Sequence, residues 1–138
     1  MPNWTKNHVI IKADKDTIAK IKSLVTTEKN AFSLNAIVPM PEKLPEAKDG
    51  NFPAWYDWCV ENWGTKWETR EAKFIRGGVR VLHYKFYTAW TDPGNALEAL
   101  SKLFPTATIT NEAEYEGGWP IESATYVYRE GQVVIPAF

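Results

Sequence analysis

Cysteine and histidine are nearly missing from this chain. With a single cysteine, Cys59, no intramolecular disulfide can form, and with only His8 and His83 beside it a structural zinc site lacks ligands. The expectation is a reducing, cytoplasmic setting. No uncharged apolar run reaches the length a bilayer requires, and the opening Met-Pro-Asn-Trp-Thr-Lys-Asn-His has no apolar core of the signal-peptide kind. The chain reads as soluble and untargeted, with no membrane partner. Glycine-rich phosphate loops are lacking too: Gly77-Gly78 and Gly117-Gly118 are isolated pairs that read as turns. A net charge of −1 gives no global pull on nucleic acid, and nothing in the composition asks for a cofactor.

What is plentiful is aromatic surface, 14% of 138 residues, a length that suits one domain spanning 1–138 with a core of its own. Four of the seven tryptophans fall between Trp55 and Trp67, so that segment organises either a core or a cleft. Charge is unevenly placed. Lys66 to Lys85 holds six basic residues against two acidic, and Asn111 to Glu130 holds five acidic against one basic. Two readings follow: neighbouring strands that pair opposite charges, or a basic surface for an anionic ligand.

Asn7 to Lys12 is short, apolar and β-branched, which predicts a first strand. Asp14 or Asp16 then caps a helix to about Thr26, with Ile18, Ile21, Leu24 and Val25 on one face. Phe32 to Val38 predicts a strand ended by Pro39-Met40-Pro41, and Pro39 to Pro53 a long loop. Asn51 is the expected cap of a helix from about Pro53 to Trp63, ring-covered on most sides and therefore expected to be buried on more than one, with Gly64 as its C-terminal cap. Thr65 to Arg70 predicts a short strand, and Val79 to Trp90 the longest one, with Leu82, Tyr84, Phe86 and Trp90 on one side and Val81, His83, Lys85 and Tyr87 on the other. Asp92-Pro93-Gly94 opens a helix that Phe104-Pro105 closes. A strand over Thr106 to Tyr115 and a hairpin from Ile121 to Ile135 complete the chain.

This order predicts an α+β fold: a ferredoxin-like split βαβ sandwich with a Trp-rich helix inserted after the second strand and a C-terminal β-hairpin. The segments Asn3-Trp4 with Asn7-His8-Val9, Phe32 to Glu42, Asn62-Trp63-Gly64-Thr65-Lys66-Trp67 and Phe86-Tyr87-Thr88-Ala89-Trp90 resemble the YubB-like family of phage and plasmid proteins. The resemblance implies a ferredoxin-like domain carried by mobile elements in the bacterial cytoplasm. It supplies no reaction. Family members often have a cysteine straight after the first Asn-Trp, where this chain has Thr5, so no thiol role carries over.

No set of residues groups as a catalytic centre. Cys59, among tryptophans, reads as a small apolar filler, and Asp57 with Glu61 as a solvated stripe. The candidate ligand-binding set is Asn62, Thr65, Lys66, Trp67, Arg70, Arg76, His83, Thr88, Trp90 and Asp92, in which rings would stack on a flat ligand and cations meet its phosphate. The leading expectation is a non-catalytic binding protein acting on a host component, with a host protein or a small nucleotide-like ligand as partner, as an inhibitor of host defence or a nucleotide sponge. The alternatives are an enzyme acting on a nucleotide or nucleic acid through Lys66, His83 or Asp92, and a sheet that stacks single-stranded bases.

Overall fold

A computed structural model describes residues 3–44, 52–118 and 121–134. Strand β1 (Trp4–Lys12) is followed by helices α1 (Lys15–Val25), α2 (Leu34–Ile37) and α3 (Ala54–Asn62), then strands β2 (Arg70–Gly77) and β3 (Val81–Ala89). Helix α4 (Gly94–Leu103), β4 (Thr108–Tyr115), β5 (Ser123–Arg129) and β6 (Gln132–Val134) follow. Among the described residues the six strands form one sheet in the order β2-β3-β1-β4-β5-β6, with every adjacent pair antiparallel. The unit β1-α1-β2-β3-α4-β4 with β3 lying between β1 and β2 is the ferredoxin-like split βαβ arrangement. The hairpin β5-β6 extends it at the β4 edge. Its two-residue turn, Glu130-Gly131, has φ of 52° and 76°, both positive as a right-twisted hairpin requires.

Strict alternation makes the layers. Val9 and Ile11 of β1, Leu82, Tyr84 and Phe86 of β3 and Ile109 of β4 are buried on one face, against Ile18, Ile21 and Val25 of α1 and Ala96, Leu97 and Leu100 of α4. At the Asp14 cap of α1 the side chain accepts the Thr17 N–H at 3.3 Å.

The region between α1 and β2 departs from expectation. Phe32 to Val38 is not a strand: Ser33 caps α2, and the Glu68 carboxylate accepts the N–H groups of Leu34 at 2.6 Å and Asn35 at 2.9 Å. A remote carboxylate at a helix N-terminus outweighs local β preference, because it satisfies donors that a lone strand would leave bare. The insertion therefore precedes the second strand, which is Arg70–Gly77; the expected strand over Thr65 to Arg70 is irregular chain up to Thr69. Helix α3 is less buried than its rings suggest. Only Cys59 within it and Trp63 at its end are buried, whereas Trp55 is 39% and Val60 41% exposed. Asn51, with the loop residues 45–51, lies outside the described residues.

Gly64 ends α3 with φ +89°, its N–H donating to Cys59 and Val60 carbonyls. A Cβ there would stand 3.1 Å from the backbone nitrogens of Gly94 and Asn95, so glycine also permits the C-terminus of α3 to meet the N-terminus of α4. The Trp63 carbonyl accepts the Ala96 N–H at 3.2 Å across that joint.

Candidate functional site

The sheet face opposite α1 and α4 carries no helix among the described residues. Its side chains follow from period two: Trp4, Lys6, His8 and Ile10 on β1, and His83, Lys85 and Tyr87 on β3, all part-exposed. Strand β2 adds to this face by irregular means. Two register shifts, between Arg70 and Lys73 and between Phe74 and Arg76, set Arg70 opposite Tyr87, Lys73 opposite Lys85 and Arg76 opposite His83. A regular strand could not put residues 70, 73 and 76 on one face; β-bulges do, and Glu71, with φ 52°, sits in the first.

At the Trp4 end of this face is a cleft of about 630 Å³, walled by Trp4, Tyr87 and Tyr115 with Lys6, Arg70, Glu71, Glu114 and Glu116 around them. Beside it rings and cations alternate. The Lys66 ammonium lies 3.9 Å from the centre of the Trp90 ring and 4.2 Å from that of Trp67. The Arg70 guanidinium lies 5.7 Å from the Trp67 ring and 5.9 Å from that of Trp4, and the two tryptophans are 6.0 Å apart. Such contacts hold a cation in place without neutralising it, as a carboxylate would. Two of the cleft's carboxylates are engaged: Glu114 pairs with Lys6 at 3.1 Å, and Glu116 accepts the Trp4 N–H at 2.6 Å.

Strand alternation predicts Trp90 on the side of Leu82, Tyr84 and Phe86, which the fold buries. Instead it leaves the sheet with φ +67° and is 52% exposed. The Thr91 N–H donates to the Ala89 carbonyl at 2.8 Å across it, the three-residue turn whose positive-φ form is rare and strained. That reversal aims the indole at Lys66 and away from the core.

The candidate residues thus separate. Lys66, Trp67, Arg70 and Trp90 come together. Arg76 and His83 share the open face but lie near its other end, where His83 Nε2 meets His8 Nδ1 at 3.0 Å. Burial, then the neighbouring His8 and Arg76, holds the His83 imidazolium below the usual histidine range. The other four are turned to internal tasks. Asn62 donates to the Trp58 carbonyl of its own helix at 2.9 Å, and buried Thr65 donates to the Ala89 carbonyl at 2.8 Å. Thr88, fully buried, accepts from Asn7 and donates to the Thr91 carbonyl. Asp92 accepts the Tyr115 hydroxyl at 2.7 Å; burial first, then the bonds to Asp92 and Tyr126, raises the Tyr115 phenol well above its usual value.

Trp4, Lys6, His8, Tyr87, Lys73 and Lys85 belong to this face and were absent from the candidate set. The alternation Trp4-Lys6-His8-Ile10 is a legible signal once β1 is started at Trp4 rather than Asn7. The β2 bulges left no signal in the sequence. The basic and acidic blocks do not pair as neighbours either. Strand β1 stands between β2-β3 and β4-β5, so the blocks fall on opposite halves of one sheet.

Chemically, the arrangement can stack a planar ring and neutralise an anion. Cys59 is buried, and its thiol is pushed up to about 11 by burial and then by Glu68, which removes it as a nucleophile. Among the described residues no group of three or more His, Cys, Asp or Glu side chains could hold a metal ion, and no helix is long and apolar enough to cross a membrane.

No family model and no curated protein matches the chain. In structure the chain is similar to a protein api92 from Yersinia pseudotuberculosis, a crystal structure described with the family model DUF1281, at a TM-score of 0.57 and 14% identity. The match covers 76% of this chain and 39% of that one, so the chain spans well under half of its neighbour's length. At that identity the likeness speaks for the α+β fold alone.

Proposed function

We propose that this protein is a non-catalytic binding module for a nucleotide-type ligand, one with a planar ring and a phosphate, held at the Trp4 end of the open sheet face. One observation carries the reading: the run Trp90, Lys66, Trp67, Arg70, Trp4, in which rings and cations alternate beside a cleft of about 630 Å³. A cleft of that size suits one base with its sugar and phosphate. The Trp4 and Trp67 rings, 6.0 Å apart and tilted by 38°, are not stacked on each other face to face, and a ring so placed can offer a π-surface to a base. Backbone strain at Trp90 supports a role for its ring, since strain of this kind persists where the surroundings over-determine it.

The resemblance to YubB-like proteins supplies a context. In a phage or plasmid protein such a site would take up a nucleotide of the host, a signal included, and hold it from its receptor. An enzymatic role would ask for a nucleophile or base set against the ligand, and of the cleft's carboxylates Glu114 is paired with Lys6 and Glu116 with the Trp4 N–H, whereas binding asks only for stacking and charge.

The test is titration with mono- and cyclic nucleotides, followed by tryptophan fluorescence and calorimetry, with the ligand recovered after denaturation. Saturable quenching that Trp90→Ala and Lys66→Gln each weaken, with ligand returned intact, is the expected result. Returned product would replace binding by catalysis, and absence of quenching by every nucleotide would overturn the proposal.

A further inference from the structure

The open face continues beyond the cleft, and its cations are regularly spaced. From Tyr87 through Lys85 to His83, successive open-face positions of β3 advance by about 6.6 Å, two strand residues. The β2 bulges set one basic side chain beside each of them: Arg70 at Tyr87, Lys73 at Lys85 and Arg76 at His83. Three basic residues at three-residue spacing on one face of a strand require both bulges, and bulges of this kind re-aim side chains where pairing alone would turn them away. A step of that length is comparable to the reach of one extended nucleotide unit. Lys85 reaches back to within 5.5 Å of the Tyr87 ring, so the ring and cation pattern of the cleft is repeated one step along.

We infer that this face takes a single-stranded nucleic acid segment of about three nucleotides, laid along β2 and β3, with one of its nucleotides in the cleft. The inference rests on the nucleotide-binding reading above and extends it. One base stacks at the Trp4 and Tyr87 cleft while successive phosphates meet Arg70, Lys73 and Arg76. The acidic half of the sheet gives direction. Glu112 and Glu114 on β4 lie beyond β1, so an anionic strand is kept on the β2-β3 side. A duplex fits poorly, because its stacked bases cannot present a ring to Trp4.

The experiment measures affinity of the full chain for thymidylate oligomers from the mononucleotide to the hexanucleotide, over a range of salt, with a hairpin duplex and an acidic peptide as controls. Affinity is expected to rise to about the third nucleotide and then level, with log K against log salt falling at a slope near −2, as three neutralised single-strand phosphates predict. The double variant Lys73→Gln with Arg76→Gln, checked for an unchanged thermal melt, is expected to flatten the length dependence and bring the slope towards about −0.7. Equal affinity for the mononucleotide and the trinucleotide overturns this inference and leaves the nucleotide site standing. Equal affinity for the duplex or the acidic peptide overturns it as well. No binding of any nucleotide or oligomer removes the nucleotide site, and this inference with it.

Discussion

Replacing Trp90 by glycine and by alanine, side by side, separates what the ring does from what the backbone bears. Both variants delete the indole and its contact with Lys66, so loss of packing is common to them. They differ in the strain at φ +67°. An alanine Cβ in that left-handed region costs about 1–2 kcal/mol, which glycine does not incur. Against this, glycine gives the unfolded chain more freedom, worth about 0.4–1 kcal/mol. The difference favours glycine by about 0.5–1 kcal/mol, the reverse of the order in a regular strand, where alanine is the more stable. Urea titrations followed by far-UV circular dichroism resolve such a difference, and for a domain of this size it corresponds to roughly 2–3.5 °C in the melting midpoint. Nucleotide affinity, in contrast, should drop alike in both variants. An alanine variant as stable as the glycine variant or more so would refute the strain argument, and unaltered affinity in both would remove the indole from the site.

Glu68→Ala strips acceptors from the Leu34, Asn35 and Thr69 N–H groups together, and should destabilise by about 2–4 kcal/mol in urea melts, with a change under about 0.5 kcal/mol counting against its capping role. Cys59, with its thiol at about 11, should resist a disulfide reagent at pH 7.5 for hours and react at once in denaturant; stoichiometric labelling within minutes of the native protein contradicts its burial. The charged form of His83 is disfavoured in the folded state, so the unfolded chain binds the extra proton. The stability held by neutral His83 is therefore complete above about pH 6.5 and falls as the pH drops through and below that value. His83→Gln should flatten the pH dependence of stability between about pH 5 and 7, and an unaltered profile would show that His83 does not carry it.

Much of this molecule is legible without coordinates wherever a periodic pattern coincides with a local stop signal. Asp14 with Ile18, Ile21 and Val25 determines α1, Gly64 determines the end of α3, and Glu130-Gly131 determines the terminal hairpin. The alternation of Leu82, Tyr84 and Phe86 with His83, Lys85 and Tyr87 determines which residues of β3 share a side, and the helices packed on the first set decide that this side is core. Each of these is a choice made within a few residues, by side chains that satisfy their own neighbours.

What the tertiary structure alone decided has its cause at long range. Glu68 reaches back 34 residues to the Leu34 N–H and makes a helical turn of a β-prone segment, which moved the second strand to Arg70–Gly77. The β2 bulges, which gather Arg70, Lys73 and Arg76 on one face, follow from pairing with β3 and have no local signature. Trp63, Trp67 and Trp90 look alike as residues. The fold buries the first, half-exposes the second against Trp4 and turns the third outward through a strained turn. A tryptophan's composition states that it must find contact; which contact, core or ligand, depends on what the rest of the chain sets beside it.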